Sequence, residues 1–352
     1  MQDIEIRKIS GETVHIYASM GFCGFGISRE DLSKAFQKKG ISDHEVSALK
    51  ISSDEIRGFW ANAFESFENL REVQLIAKKK IWLESFSFTG SNVQMVNLKA
   101  PELWFNDGSF IDGKQLQTVI CDGRILDGQH GGLTELLFRN CSNLKRVVGF
   151  YRGEKMMPFV FGGCSSLEQP LDLYVKYLGA GSFMDCSSLK HIHLHNGLLS
   201  LGSDSFKNCI SLEDIYIPDT VTSLGYETFC GCSKLKKIHL PVSFSEINTK
   251  TFKDCAALEK VFLPDCLASI GNMAFKGCLS LHKPWLPDQL KNIGDEAFHG
   301  CVSMGEIFLP AGITEIGEDA FADCGSLMIH CKRGTYAESY LKEHNLPFTV
   351  DD

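Results

Sequence analysis

Long apolar runs are missing from this 352-residue chain, and no segment approaches the roughly 18 uninterrupted apolar residues of a membrane span. The first twenty residues, MQDIEIRKISGETVHIYASM, carry charges throughout. They lack the apolar stretch of about 7 to 15 residues that a secretory signal needs. The expectation is therefore a soluble chain that stays in its compartment of synthesis, the cytoplasm, with no membrane insertion. A basic excess is missing as well, with 35 Lys and Arg against 44 Asp and Glu. A net charge of -9 argues against a general nucleic-acid binder, which shows a basic excess on at least one face. Catalytic signatures are equally thin: there is no Gly-x-Ser-x-Gly elbow and no His-Glu-x-x-His zinc motif. The stretch GFCGFGIS at 21–28 matches neither G-x-G-x-x-G nor a Walker loop ending in Lys-Ser/Thr. No enzyme and no cofactor is expected.

What the chain does hold is cysteine, fourteen in all, and their distribution is not that of a disulfide framework. Nine of them, from Cys141 through Cys164, Cys186 and Cys209 to Cys324, each follow a phenylalanine by three residues. Those phenylalanines run from Phe138 to Phe321 at intervals of 23, 22 and then 23 six times. A fixed period of this size is the mark of a solenoid.

The register extends well beyond the pair. Phe206 is followed by Cys209, Leu212, Ile215, Ile217, Pro218, Val221, Leu224 and Gly225; Phe252 is followed at the same offsets by Cys255, Leu258, Val261, Leu263, Pro264, Leu267, Ile270 and Gly271. Leu-x-x-Ile-x-Leu alternates inward and outward at its end as a short strand does, and a proline, having no amide donor, stops the ladder. Glycine after Leu201, Leu224, Ile270, Ile293 and Ile316 suits a turn of positive φ, and Asn248 stands in that place in one coil. Stacked coils then give a continuous parallel sheet, with phenylalanine and cysteine laddered inside. A buried thiol acts there as a small hydrophobe, and one cysteine per coil supplies no tetrahedron for a metal.

The N-terminal half keeps the register in worn form. Phe64 leads to Leu70, Val73 and Leu75; Val93, Val96 and Leu98 lie 23 residues on; Phe110 leads to Leu116, Val119 and Cys121. With a first strand at Val46, Leu49 and Ile51 the chain makes about thirteen coils. Five extra residues fall between Phe110 and Phe138, in a loop near His130. Residues 1–45 read as an N-terminal cap, a strand or hairpin followed by a short helix with Ser28 and Asp31 as its capping box. Residues 46–330 are the repeats, and 331–352 read as a C-terminal cap of helix and strand.

The units IGNMAFKGCLSL, IGDEAFHGCVSM and IGEDAFADCGSL resemble the BspA-like, or Treponema pallidum type, leucine-rich repeat, strongly over 138–330 and more faintly from 46. The tail GTYAESYLKEHNLPF is similar to that family's C-terminal cap. The resemblance implies a right-handed leucine-rich repeat horseshoe, with a parallel sheet on the concave face and short helical or irregular returns on the convex one. It also implies binding to other macromolecules rather than catalysis, and a cell-surface or secreted setting as the alternative to the cytoplasm.

Function in such a scaffold is read from the outward strand positions, because the inward ones are committed to packing. Between the apolar strand residues of successive coils stand His193, Tyr216, His239, Phe262, Trp285 and Phe308. Two residues earlier, on the same face, stand His191, Asp214, Lys237, Lys260, Lys283 and Glu306. Aromatic anchors beside cations make a recognition surface. The expected ligand is a protein or peptide that presents acidic groups to Lys237, Lys260 and Lys283; cross-strand stacking for stability alone is the competing explanation. A surface glycan stacked on the same aromatics is one alternative. A metal-dependent enzyme at His191, His193 and Asp214 is another, since residues two apart on a strand share a face. Pro284 occupies an inward strand position and is expected to kink the sheet beside Trp285.

Overall fold

The computed structural model describes residues 5–10, 13–17, 27–128, 131–170 and 172–351. The glycine-rich loop of 21–26 and the inserted residue His130 lie outside the described residues. The chain packs as two compact units, Met1–Cys186 and Ser187–Asp352. Among the described residues no helix is long and apolar enough to cross a membrane.

In the first unit an antiparallel hairpin of β1 (Glu5–Ser10) and β2 (Thr13–Tyr17) opens the fold. Helix α1 (Arg29–Gln37) follows, capped as its sequence indicates. Ser28 Oγ accepts from the Asp31 amide, and the Asp31 carboxylate accepts from the Ser28 amide. From β2 the sheet runs in parallel through β3 (Ala48–Arg57), β4 (Glu72–Leu83), β5 (Met95–Phe105) and β6 (Thr118–Ile125). The worn repeat is the true register. Leu49 pairs with Val73, Val73 with Val96 and Val96 with Val119, each of them buried. Pro101 falls inside β5, where the register shifts between Lys99 and Glu102, and a bulge tolerates a missing donor.

The second unit has the stricter sequence and the shorter strands. Its strands before the terminal coil hold two or three residues each, and they pair in small separate groups: Lys237–His239 with Lys260–Phe262, Glu246–Ile247 through Ser269–Ile270 and Asn292–Ile293 to Glu315–Ile316. The expected continuous sheet is thus corrected to an interrupted one. Residues 191–195, 214–217 and 283–285 form no strand, Pro284 lying in the last of these. Pro218, Pro241, Pro264, Pro287 and Pro310 end the outward strand positions, and each carbonyl accepts the amide three residues on, from Val221, Phe244, Leu267, Leu290 and Ile313. Helix α2 (Tyr336–Glu343), with Thr335 as N-cap, and the strand Phe348–Asp351 close the C-terminal end.

A phenylalanine ladder is the common core. Rings stack at 4.8 Å from Phe64 to Phe88 in the first unit and at 5.7 Å from Phe229 to Phe252 in the second, the latter nearly coplanar at 2°. The cysteines run beside it and do more than fill space. The carbonyls of Phe138, Phe161, Phe206, Phe229, Phe252, Phe275 and Phe298 each accept the amide of the cysteine three residues on, and the second lone pair takes the thiol of the cysteine one coil later. Cys232 Sγ lies 3.1 Å from Phe206 O, and Cys255 Sγ lies 3.1 Å from Phe229 O. That double use accounts for the fixed three-residue spacing.

The turn glycines need a different explanation from the one the sequence suggested. Gly202, Gly225, Gly271, Gly294 and Gly317 do not have positive φ; the left-handed residues are Asp204, Glu227, Lys250, Met273, Glu296 and Asp319, with φ from 52° to 56°. Glycine is required for close approach instead. A Cβ on Gly225 would stand 2.1 Å from Ser203 N, and one on Gly317 would stand 2.3 Å from Asp295 N. Asn248, the exception, donates from Nδ2 to Leu224 O at 2.5 Å.

Candidate functional site

The outward column of the second unit is built by alternation around buried neighbours. Ile238, Val261, Leu286 and Ile307 point into the core, which turns His239, Phe262, Trp285 and Phe308 outward. Large aromatic surface is left uncovered: Tyr216 is 60% exposed, Phe262 47%, Trp285 73% and Phe308 40%. The rings are ordered against their neighbours. His239 stacks on Phe262 at 3.9 Å between centroids, and Phe308 stacks on His330 at 4.2 Å.

His330 continues the column and was missed because it follows Phe308 by 22 residues instead of 23; the parallel register pairs the two directly. Its Nδ1 lies 2.7 Å from Thr349 Oγ1. Beyond it the column borders an open groove of about 540 Å³ with Trp285, Phe308 and Pro310 among its lining and Asp288, Lys332 and Asp351 beside them. None of those three charged residues occupies the two repeating outward positions, so the period carried no signal for them.

The three lysines are not equivalent. Lys237 and Lys260 face each other in register, and among the described residues neither has an ion-pair partner. Lys283 is engaged: its ammonium donates to Glu306 Oε1 at 2.5 Å and lies 5.0 Å from the centre of the Phe308 ring. The Lys283 ammonium beside Glu306, with His330 nearby, holds that carboxyl below its usual range. The expected cationic row therefore reduces to two free lysines and one paired.

At the other end, His191 Nδ1 lies 3.0 Å from Asp214 Oδ1 with both side chains exposed, while His193 meets the ring of His195 edge-on at 4.5 Å. These histidines are not on a strand, contrary to the sequence reading. Among the described residues no group of three or more His, Cys, Asp or Glu is gathered to hold a metal ion.

Comparison with solved structures agrees with this architecture. A leucine-rich repeat protein from Bacteroides ovatus is 22% identical, with the match covering 100% of this chain and 99% of that one at a TM-score of 0.67. A leucine-rich repeat protein from Eubacterium ventriosum is 18% identical over 90% and 91% at 0.46, and the T. pallidum leucine-rich repeat protein is 21% identical over 56% and 81% at 0.38. No curated protein matches the chain. The model of the BspA type leucine rich repeat region matches in overlapping stretches at 33–168, 132–232 and 199–328. Leucine-rich repeat proteins generally mediate protein interactions or adhesion and are typically not enzymes. On the match of that family model from 33 to 328, the chain belongs to the BspA-type leucine-rich repeat family.

Proposed function

We propose that this is a non-catalytic interaction protein that captures a protein or peptide on the outward column of residues 187–352. Tyr216, Phe262, Trp285 and Phe308 stand in water at one repeating position of the coil, and that observation carries the reading. A contiguous exposed apolar surface on a globular protein marks a partner site, and aromatic residues dominate binding energy where they are found. His193, at the same position in its coil, extends the surface toward the first coils of this unit. Lys237 and Lys260, adjacent and unpaired, favour a ligand with acidic side chains beside its apolar anchors. Lys283 contributes by ordering Glu306 and the face of Phe308.

Selection of a displayed random-peptide library on the purified chain tests this. Selected peptides are expected to combine aromatic or aliphatic residues with acidic ones. Phe262→Ala combined with Trp285→Ala is expected to remove about 2 kcal/mol or more per anchor while leaving the fold intact by circular dichroism. Undiminished binding to that folded double variant would refute the site.

A further inference from the structure

The groove at the C-terminal end of the column differs chemically from the stretch around Phe262. Trp285 offers it a broad indole face, 73% of the residue being exposed. Its charged lining is balanced, with Lys283 and Lys332 against Asp288 and Asp351, and Lys283 is already held by Glu306. Among the described residues Asp288, Lys332 and Asp351 make no ion pair and no side-chain hydrogen bond, so acceptors and a donor stand ready around an apolar platform. An acidic peptide would meet the two aspartates there and a basic one would meet Lys332. A neutral hexose fits both demands. One face of its ring presents C–H groups to an indole, and each hydroxyl both donates and accepts, as the mixed carboxylate and ammonium rim requires. The volume, about 540 Å³, falls within the range of small-ligand clefts.

We propose that this groove is a saccharide subsite, in which a neutral hexose unit of an oligosaccharide lies on Trp285 and hydrogen-bonds through its hydroxyls to Asp288, Lys332 and Asp351. The proposal goes beyond peptide capture and does not depend on it, because Phe262, Lys237 and Lys260 take no part.

Titration of the full chain with cellotetraose, maltotetraose, mannotetraose, tetra-N-acetylchitotetraose and laminaritetraose tests it, followed by tryptophan emission and by saturation-transfer NMR of the sugar. At least one of the five is expected to change the emission saturably. Trp285→Ala removes both signals, Asp288→Asn weakens the affinity about tenfold, and Phe262→Ala changes neither. Loss of peptide capture in Phe262→Ala with sugar binding intact supports the proposal and separates the two sites. No saturable binding by any of the five sugars overturns it, as does binding undiminished in a folded Trp285→Ala variant.

Discussion

The two units of the chain invert the usual relation between a regular sequence and a regular sheet. In the first unit residues 46–125 carry the repeat in its most degraded form, yet β3 to β6 hold 8 to 12 residues each and pair in one continuous parallel series, whereas its coils from Phe138 on, where the repeat is strict, have strands of only two or three residues. Residues 187–352 carry it almost unchanged, yet most of their strands stop after two or three residues. Proline explains much of the difference. Where the second unit has Pro218, Pro241, Pro264, Pro287 and Pro310, three coils of the first have Ile76, Lys99 and Asp122, and all three residues stay in the ladder. The core adjusts in step, since the rings stand 4.8 Å apart beside the continuous sheet and up to 5.8 Å apart beside the broken one. In the second unit, then, stacked rings and thiol hydrogen bonds carry more of the burden that the backbone ladder carries in the first. The broken ladder also leaves side chains to define the outward face, which is where the aromatic column lies.

Alkali should sharpen this contrast most. Burial pushes the thiols of Cys121 and Cys141 up to about 12 from an ordinary value of 9.0, and Cys164 well above it. In the second unit burial pushes Cys324 up to about 11 and raises Cys230, Cys232, Cys255, Cys278, Cys301 and Cys331. A folded-state value above the unfolded one stabilises below the unfolded value, and that stabilisation is lost as pH rises through the folded one. The thiol contribution to stability should therefore be level from neutral pH to pH 9 and fall from there to about pH 12. Hydrogen exchange is expected to show 187–352 opening first; simultaneous opening would argue that the thiols weigh equally in both units.

Next in size is Phe252→Ala, which empties the ladder between Phe229 and Phe275 and should cost about 3 to 5 kcal/mol in urea unfolding. A much smaller loss than for Phe88→Ala would break the claim that rings matter more where the ladder is broken. Lys99→Pro imposes the second unit's punctuation on the first; it should cost about 2 kcal/mol and weaken exchange protection in β5 and β6. Cys255→Ala removes the thiol donor to Phe229 and should cost about 1 kcal/mol, detectable by the same unfolding curves.

The coil was legible because its positions are over-determined. Phenylalanine, cysteine and three or four aliphatic residues recur at fixed offsets, and burial enforces each of them. The two terminal helices were legible for a related reason, Ser28 with Asp31 and the 336–343 pattern being local signals. What escaped depends on distances that no offset encodes. Glycine at 225 and 317 looked like a left-handed turn but answers a backbone contact one coil away, and the left-handed positions fell on Asp, Glu, Lys and Met. The pairing of Lys283 with Glu306 joins two adjacent coils, and His330 was hidden by a single missing residue in the period. The aromatic column itself was readable as soon as the inward positions were assigned.

The most direct measurement is a hydrogen-exchange footprint of the chain bound to a peptide selected from the displayed library. Added protection is expected within 214–217, 237–239, 260–262 and 283–308, with 48–125 unchanged. Protection confined to the long strands of the first unit would contradict the account, because the ligand would then be held where the corresponding outward position carries Gln74, Asn97 and Ile120.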